Sequence, residues 1–446
     1  MRSGAFPVVV TAPHRVQWSM STLRLPASLR RRVVRAVLAR HVGRDVSALR
    51  GLPAHAVFPL RRDGLDPVPE LAAARDRAPV TRLTTLLGTT IWLVSGYDEA
   101  RAVLADATRF SNDMRPVLGT RARSDAESIG GLGMTDDPDH GRLRGLLTPE
   151  FTKHRLARLQ TDIDLIVAEA LDALTDLGED GRAVDLVPHF GFAIPFRVIC
   201  ELLGLAVSER AEFHRIGAAR FDLTQGGIGV FDAATESRTF LIDAVARQRH
   251  EPGNGLIGAV LASHGDEFTD VELGGLMDGV FLGGYETSAS MLSMGVLVLA
   301  QHPALYSRLR TGSPSEVDAI IEELLRYLCP VQVAFPRFAR TDLDLFGERV
   351  GRGDVVVVSL TGANRDPRAR ADAELFNPTG KRSHHLAFGH GLHRCVGAEL
   401  ARMELRTALV GLATRFPKLT IPAPDDVSFR ELSVVHSIDA LPAHLS

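Results

Sequence analysis

Cysteine is scarce in this chain: 446 residues contain Cys200, Cys329 and Cys395 and no others. Three thiols cannot build a disulfide framework, which points to a reducing compartment and leaves each cysteine to be explained separately. Long apolar runs are missing as well. No stretch reaches the roughly 18 apolar residues of a membrane-spanning helix, and the "FPVVV" near the start falls far short of a signal-peptide core. The expectation is a soluble cytoplasmic protein without integral membrane association. Excess charge is lacking too, with 51 basic against 54 acidic residues and a net charge of -3. That balance offers no general electrostatic case for nucleic acid, so partners must be argued locally.

What is present is globular: 45% hydrophobic and 24% charged residues, in a length that suits one large domain or two ordinary ones. Residues 1–55 stand apart. Their "RLPASLRRRVVRAVLARHVGRDVSALR" is arginine-rich with apolar residues at helical spacing, a basic N-terminal extension of unknown role in which Met20 is an alternative start. A solvated basic helix is the simpler reading, and a membrane-surface or docking helix the other. From residue 56 to 446 helical periodicity dominates, as in "LARLQTDIDLIVAEALDALTDL", "PSEVDAIIEELLRYL" and "AELARMELRTALVGLATRF". Strand-like pieces are few: "TIWLVS", "LDLFGERV" and "GDVVVVSL". Residues 274–300 are nearly apolar yet carry Asp278, Glu286, glycines and serines, as a buried central helix would. One mainly α domain with small β-sheets follows.

The most informative stretch is "FGHGLHRCVG", residues 388–397. Three readings compete for Cys395: a zinc cluster with His390 and His393, an ordinary buried thiol, or a loop presenting one thiolate to something large. Structural zinc needs four ligands, and no second Cys or His pair lies at matching spacing. A buried-thiol reading suits Cys200 in "FRVICELLG". It suits Cys395 poorly, because glycines on both sides imply strained turns or close backbone approach. A thiolate in front of a helix N-terminus is electrostatically favoured, and a single thiolate is what a haem iron takes on its proximal side.

The segment resembles the haem-binding loop of the cytochrome P-450 family, F-G-x-G-x-H-x-C-x-G, a pattern expected by chance about 10⁻⁶ times in such a chain. The resemblance extends from about Phe58 to the end and includes "ANRDP" and the late "DALP". It implies a single triangular helical domain around haem b, with Cys395 as iron ligand and Phe388 and Gly389 in the cofactor loop. "GGYETSAS" resembles the oxygen-activation motif, which makes Glu286 and Thr287 the catalytic acid–alcohol pair. By this resemblance the Thr287 hydroxyl interrupts the helix's hydrogen bonding and holds the oxygen substrate and water, while Glu286 relays protons. "EELLRY" resembles the structural E-x-x-R pair as Glu323 and Arg326. The bare pattern recurs at Glu179/Arg182, Glu212/Arg215 and Glu399/Arg402, and chain order selects Glu323. His140 and Arg144 in "DPDHGRLRGLLTPEF", Arg337 in "FPRFA" and His393 are the implied partners of the haem propionates.

The resemblance further implies a monooxygenase of the soluble bacterial three-component type. It would hydroxylate a C–H bond of a medium-to-large apolar small molecule of secondary metabolism, with O2 as co-substrate. NAD(P)H electrons would arrive through an external ferredoxin and ferredoxin reductase, since no flavin or nicotinamide fingerprint is visible. Arg142, Arg394, Arg402 and Arg406 are the expected ferredoxin-docking cations on a monomeric enzyme. Substrate contacts are expected from residues 114–133, 213–231, 333–336 and 434–437 and from Gly279 and Gly283, with Gly283, Val333, Ala334 and Val435 the nearest candidates. Alternatives are the same haem chemistry giving desaturation, epoxidation or aryl coupling, and a non-catalytic haem-fold protein that recruits a partner. One departure matters: where the family has an arginine completing the Glu-Arg network, this chain has Gly380, followed by Lys381 and Arg382.

Overall fold

The computed structural model describes residues 54–86, 88–113, 131–221, 227–380 and 384–446. The basic extension with Met20, most of the 114–133 loop, Lys381 and Arg382 lie outside the described residues. Part of 213–231 does so too.

After short elements that include the helix Pro69–Arg77, the chain forms strands β1 (Val80–Leu86) and β2 (Thr89–Val94), helix α1 (Tyr97–Ala105) and the short strand β3 (Phe110–Ser111). Helices then dominate: α2 (Asp139–Leu147), α3 (Gln160–Leu177), α4 (Ala193–Leu203), α5 (Gly227–His250), α6 (Asp270–Ala300), α7 (Pro303–Thr311) and α8 (Pro314–Leu328). Strands β4 (Arg337–Ala339) and β5 (Val355–Val358) precede the last long helix, α9 (Ala398–Arg415). One sheet runs in the order β1-β2-β5-β4-β3. β5 lies parallel to β2 with Val356 opposite Trp92, and antiparallel to β4. The valine run of β5 is buried between neighbours, as continuous apolar strands are. β1 was not expected from its sequence: "VTRLTTL" has little apolar alternation, and pairing with β2 makes it a strand.

The central helix starts four residues earlier than its apolar run, because Thr269 and Glu272 close a capping box at Asp270. Its serines are buried rather than solvated. Ser290 donates to the Glu286 carbonyl at 2.8 Å and Ser293 to the Ala289 carbonyl at 2.9 Å. Such back-bonding satisfies a hydroxyl inside a helix without another partner. α6 packs against α4, α5, α8 and α9, and Phe281, Leu292, Met294 and Val296 are fully enclosed. A second apolar cluster, with Val94, Phe110, Val356 and Val358, lies against the sheet. Ala387, just before the cysteine loop, packs against both clusters. The loop is therefore anchored where the helical and sheet portions meet.

Candidate active site

The cysteine loop is shaped by left-handed backbone that glycine alone tolerates well: Gly389 has φ +67° and Gly391 φ +72°. A side chain at Gly391 would strike the Leu104 carbonyl oxygen at 2.5 Å, so the loop lies directly on the end of α1. Cys395 N–H donates to the Phe388 carbonyl at 2.9 Å, which folds the loop back on itself. Cys200 and Cys329 are buried, whereas Cys395 as a residue is exposed. Burial raises the Cys395 thiol above its ordinary range, while a bond from Gly397 N–H and the charges of Arg144, Arg394 and Arg402 pull it down. Those are the attractions that hold a thiolate at a helix N-terminus.

Next to this loop three basic side chains come together, two of them buried and His393 half-buried. His140 is fully buried, its Nδ1 lies 3.6 Å from the Asp137 carboxylate without a hydrogen bond to either ring nitrogen among the described residues, and its ring centroid lies 4.3 Å from that of His393. Arg337 is 4% exposed, and the one hydrogen bond of its guanidinium among the described residues goes to the Phe335 carbonyl at 3.2 Å. Burial draws the Arg337 guanidinium down to about 10. His393 is held down to about 4 by burial and by the charges of His140 and Arg337, although its Nδ1 meets the Leu132 carbonyl at 3.1 Å. The neighbouring Asp136 is already engaged by Ser111, the Asn112 N–H and Arg340. A buried guanidinium is costly without an ion-pair partner, and Arg337 has none among the described residues, so with two imidazoles beside it the cluster fits an anionic group such as a pair of haem propionates. His393 turns toward His140 rather than toward the thiol. Arg144, the fourth predicted partner, instead donates to the Arg394 carbonyl at 2.8 Å, beside the cysteine loop. Arg337→Gln is expected to speed haem loss to an acceptor apoprotein by about 10–100-fold without changing the circular dichroism of the chain.

On α6, Thr287 Oγ1 donates to the Gly283 carbonyl at 2.7 Å. The expected interruption does not occur: the helix runs unbroken through Thr287, whose hydroxyl shares an i−4 carbonyl. A side chain at Gly283 would meet nothing within 4 Å. Glu286, adjacent to Thr287, is ion-paired with Arg430 at 2.9 Å. Sequence reasoning missed Arg430, which lies 144 residues away with no local signal. It also missed Glu404 on α9, a fully buried carboxyl pushed up to about 8 by burial and bonded to Ser288.

The substrate candidates converge in part. The 333–334 segment joins the sheet through Ala334 N–H and the Val358 carbonyl, and Val331 bridges Val435. Phe213, by contrast, packs in the core against Phe196, Phe240 and Phe281. At the structural pair, Arg326 grips Glu323 through two bonds of 2.8 and 2.9 Å. The missing third member is Arg370, whose Nη1 meets Glu323 Oε2 at 2.7 Å. Gly380 is where that guanidinium lies: a side chain there would meet Arg370 Nη2 at 2.5 Å.

A lone exposed cysteine, an anion-seeking basic cluster and an acid–alcohol pair on a buried helix together suit a haem-thiolate oxidoreductase. Comparison with known proteins agrees. The family model described as cytochrome P450 matches residues 207–313 and 316–438. "Cytochrome P450 FAS1" of Rhodococcoides fascians is 37% identical over 389 residues, 86% of this chain and 96% of the relative. "6-deoxyerythronolide B hydroxylase" of Saccharopolyspora erythraea is 34% identical over 84% of this chain and 95% of its own length. The solved structure of OxyC, titled as a cytochrome P450 implicated in an oxidative C–C coupling reaction during vancomycin biosynthesis, superposes with a TM-score of 0.78. It is 33% identical, over 88% of this chain and 97% of that one. The chain belongs to the cytochrome P450 family, and its activity class is that of a monooxygenase oxidoreductase. The reading as a non-catalytic recruitment protein is thereby set aside.

Proposed function

We propose that the enzyme inserts one oxygen atom from O2 into a C–H bond of a medium-to-large apolar small molecule of secondary metabolism. The observation that carries this reading is the basic cluster of His140, Arg337 and His393 beside the Cys395 loop, in which the buried Arg337 has no ion-pair partner among the described residues. Haem bound there through the Cys395 thiolate supplies O–O bond cleavage and the oxidising power. Arg337 would neutralise its carboxylates, the ring N–H groups of His140 and His393 would donate to them, and Arg144 adds positive potential next to the thiol. Thr287 holds a hydroxyl on the pocket side of α6, and Glu286 brings protons to it. Val333, Ala334, Val435 and the open face at Gly283 present little charge, which selects an apolar substrate. The hydroxylase relative from Saccharopolyspora supports a macrolide-like molecule.

Spin-state titration of the haem-loaded protein against a natural-product panel tests the substrate class. Thr287→Ala is expected to lower product formed per NADPH by on the order of 100-fold while peroxide release rises. Wild-type coupling in that variant would remove Thr287 from the mechanism. Oxidative coupling is the second reading, favoured by the similarity to OxyC. Product mass separates the two, since hydroxylation adds an oxygen and coupling removes two hydrogens.

Electrons are proposed to come from NAD(P)H through ferredoxin and its reductase. Among the expected docking cations, Arg142 is paired with Glu272, Arg402 with Glu322 and Glu399, and Arg406 with Asp318. Arg394 is exposed and has no ion-pair partner among the described residues. Docking therefore centres on Arg394. Arg394→Glu is expected to raise the KM for ferredoxin by about 10-fold, and Arg406→Glu to raise it much less. Equal effects of the two reversals would refute this centre.

A further inference from the structure

The proton-relay carboxylate is held by a residue from a remote loop. Arg430 Nη1 donates to Glu286 Oε1 at 2.9 Å, with the two side chains 18% and 14% exposed. Arg430 sits on the first limb of that loop, and its N–H donates to the Ser437 carbonyl at 3.0 Å. On the opposite limb, Asp439 N–H donates to the Ser428 carbonyl, and Phe429 and Ile438 form an isolated antiparallel bridge. The Asp439 carboxylate, 54% exposed, lies 3.6 Å from Arg430 Nε. One guanidinium thus stands between an inner carboxylate, Glu286, and an outer one, Asp439.

This arrangement constrains proton movement. A guanidinium keeps its proton at any working pH, so Arg430 cannot itself supply one. A positive charge beside a carboxyl group favours its ionised form. To relay a proton, Glu286 must take one from solvent, leave Arg430 and pass the proton toward Thr287. Arg430 would then be a partly buried charge without compensation, unless a second carboxylate receives it. Asp439 is positioned to do so. The loop tip meanwhile reaches the pocket segment. Gln332 N–H donates to the Val434 carbonyl at 3.0 Å, and Gln332 Nε2 to the Ser433 carbonyl at 2.7 Å. Leu432 at the tip has φ +50°, a conformation that costs a non-glycine residue energy.

We infer that Arg430 is a positioning residue that gates Glu286, moving its charge between Glu286 and Asp439, and that a ligand against Val434 and Val435 biases the exchange through the loop. The inference rests on the relay role proposed for Glu286. Other titratable groups near the gate are Tyr285, next to Glu286 on α6, and Glu404, which reaches Ser288 from α9. His436 is on the far limb of the loop, stacked on Phe429 and bonded to the Gly64 carbonyl.

The test uses haem-loaded wild type, Glu286→Gln, Arg430→Gln, Arg430→Lys and Asp439→Asn. Infrared difference spectra of the resting proteins follow carboxyl protonation with pH, the band lost in Glu286→Gln being the assignment. Peroxide release and its solvent isotope effect are followed with NADPH, a plant-type ferredoxin and its reductase, without organic substrate. Removing the guanidinium should move the Glu286 midpoint up by about one unit or more, with the pH profile of turnover moving the same way. Arg430→Lys should restore part of the shift, and it carries the test if the glutamine variant loads haem poorly. Asp439→Asn, which leaves Arg430 to Glu286, should lower the midpoint and slow turnover. A wild-type midpoint and isotope effect in both Arg430 variants, with turnover impaired in Glu286→Gln, would overturn the gate and leave the relay standing. Wild-type turnover in Glu286→Gln would overturn the relay, and the gate with it.

Discussion

A Cys395→His protein is expected to bind haem yet show no red-shifted band in the reduced-CO spectrum, and to lose more than about 100-fold in turnover. Loss of groups that merely orient a ligand already costs 10–100-fold. The loop should survive the change, because its shape comes from elsewhere. Gly389 and Gly391 supply the left-handed turns, and the Cys395 N–H bond to Phe388 is a main-chain contact. What disappears is the thiolate's negative charge, which Gly397 N–H and Arg144, Arg394 and Arg402 are arranged to stabilise. A neutral imidazole does not push electron density to the iron as a thiolate does. The other cysteines give the control. Burial pushes the Cys200 thiol up to about 12 and the Cys329 thiol up to about 11, so neither is a thiolate near neutral pH. Serine at either position should leave the CO band in place. A normal thiolate-type band from Cys395→His would remove Cys395 as the iron ligand.

The parts of this site that could be read in advance are those whose chemistry closes within a few residues. Residues 388–397 contain the turn glycines, the thiol and the N-cap of α9 in one run, so the pattern carries the geometry. Glu286 and Thr287 are legible for the same reason, being neighbours on one helix. His140 and His393 were named as separate cations, but their 4.3 Å ring contact is a property of packing between α2 and the loop. Arg370 and Arg430 escaped because each closes on a carboxylate 47 or 144 residues away, and an exposed arginine looks the same in sequence. Glu404 escaped for the opposite reason. In "ARMELRTAL" it occupies what looks like a polar face, yet α9 turns it against Ser288. β1 illustrates the tertiary override of weak local preference, since its partner rather than its own pattern makes it a strand.

The replacement at Gly380 leads to the largest expected effect on stability. Glu323 accepts four bonds: two from Arg326, one from Arg370 and one from the Asn377 N–H at 2.8 Å. Its side chain and those of Arg326 and Arg370 are no more than 6% exposed. Arg370→Ala leaves a buried carboxylate short of one cation, a change expected to cost about 3–5 kcal/mol. Urea unfolding of the haem-loaded protein measures it. Gly380→Arg in the wild type should also destabilise, by about 1–3 kcal/mol from overpacking. The new Cβ would meet Arg370 Nη2 at 2.5 Å, Asp372 Oδ2 at 2.8 Å and Asn377 Nδ2 at 3.0 Å, and Glu323 has no acceptor left for it. In the Arg370→Ala background the same substitution should become stabilising, because the space and the vacant bond at Glu323 Oε2 are then both available. A coupling of about 1–3 kcal/mol between the two positions is the signature of residues that share one partner. Additive effects would show that Arg370 and position 380 do not compete for Glu323, and the network would then need a different third member.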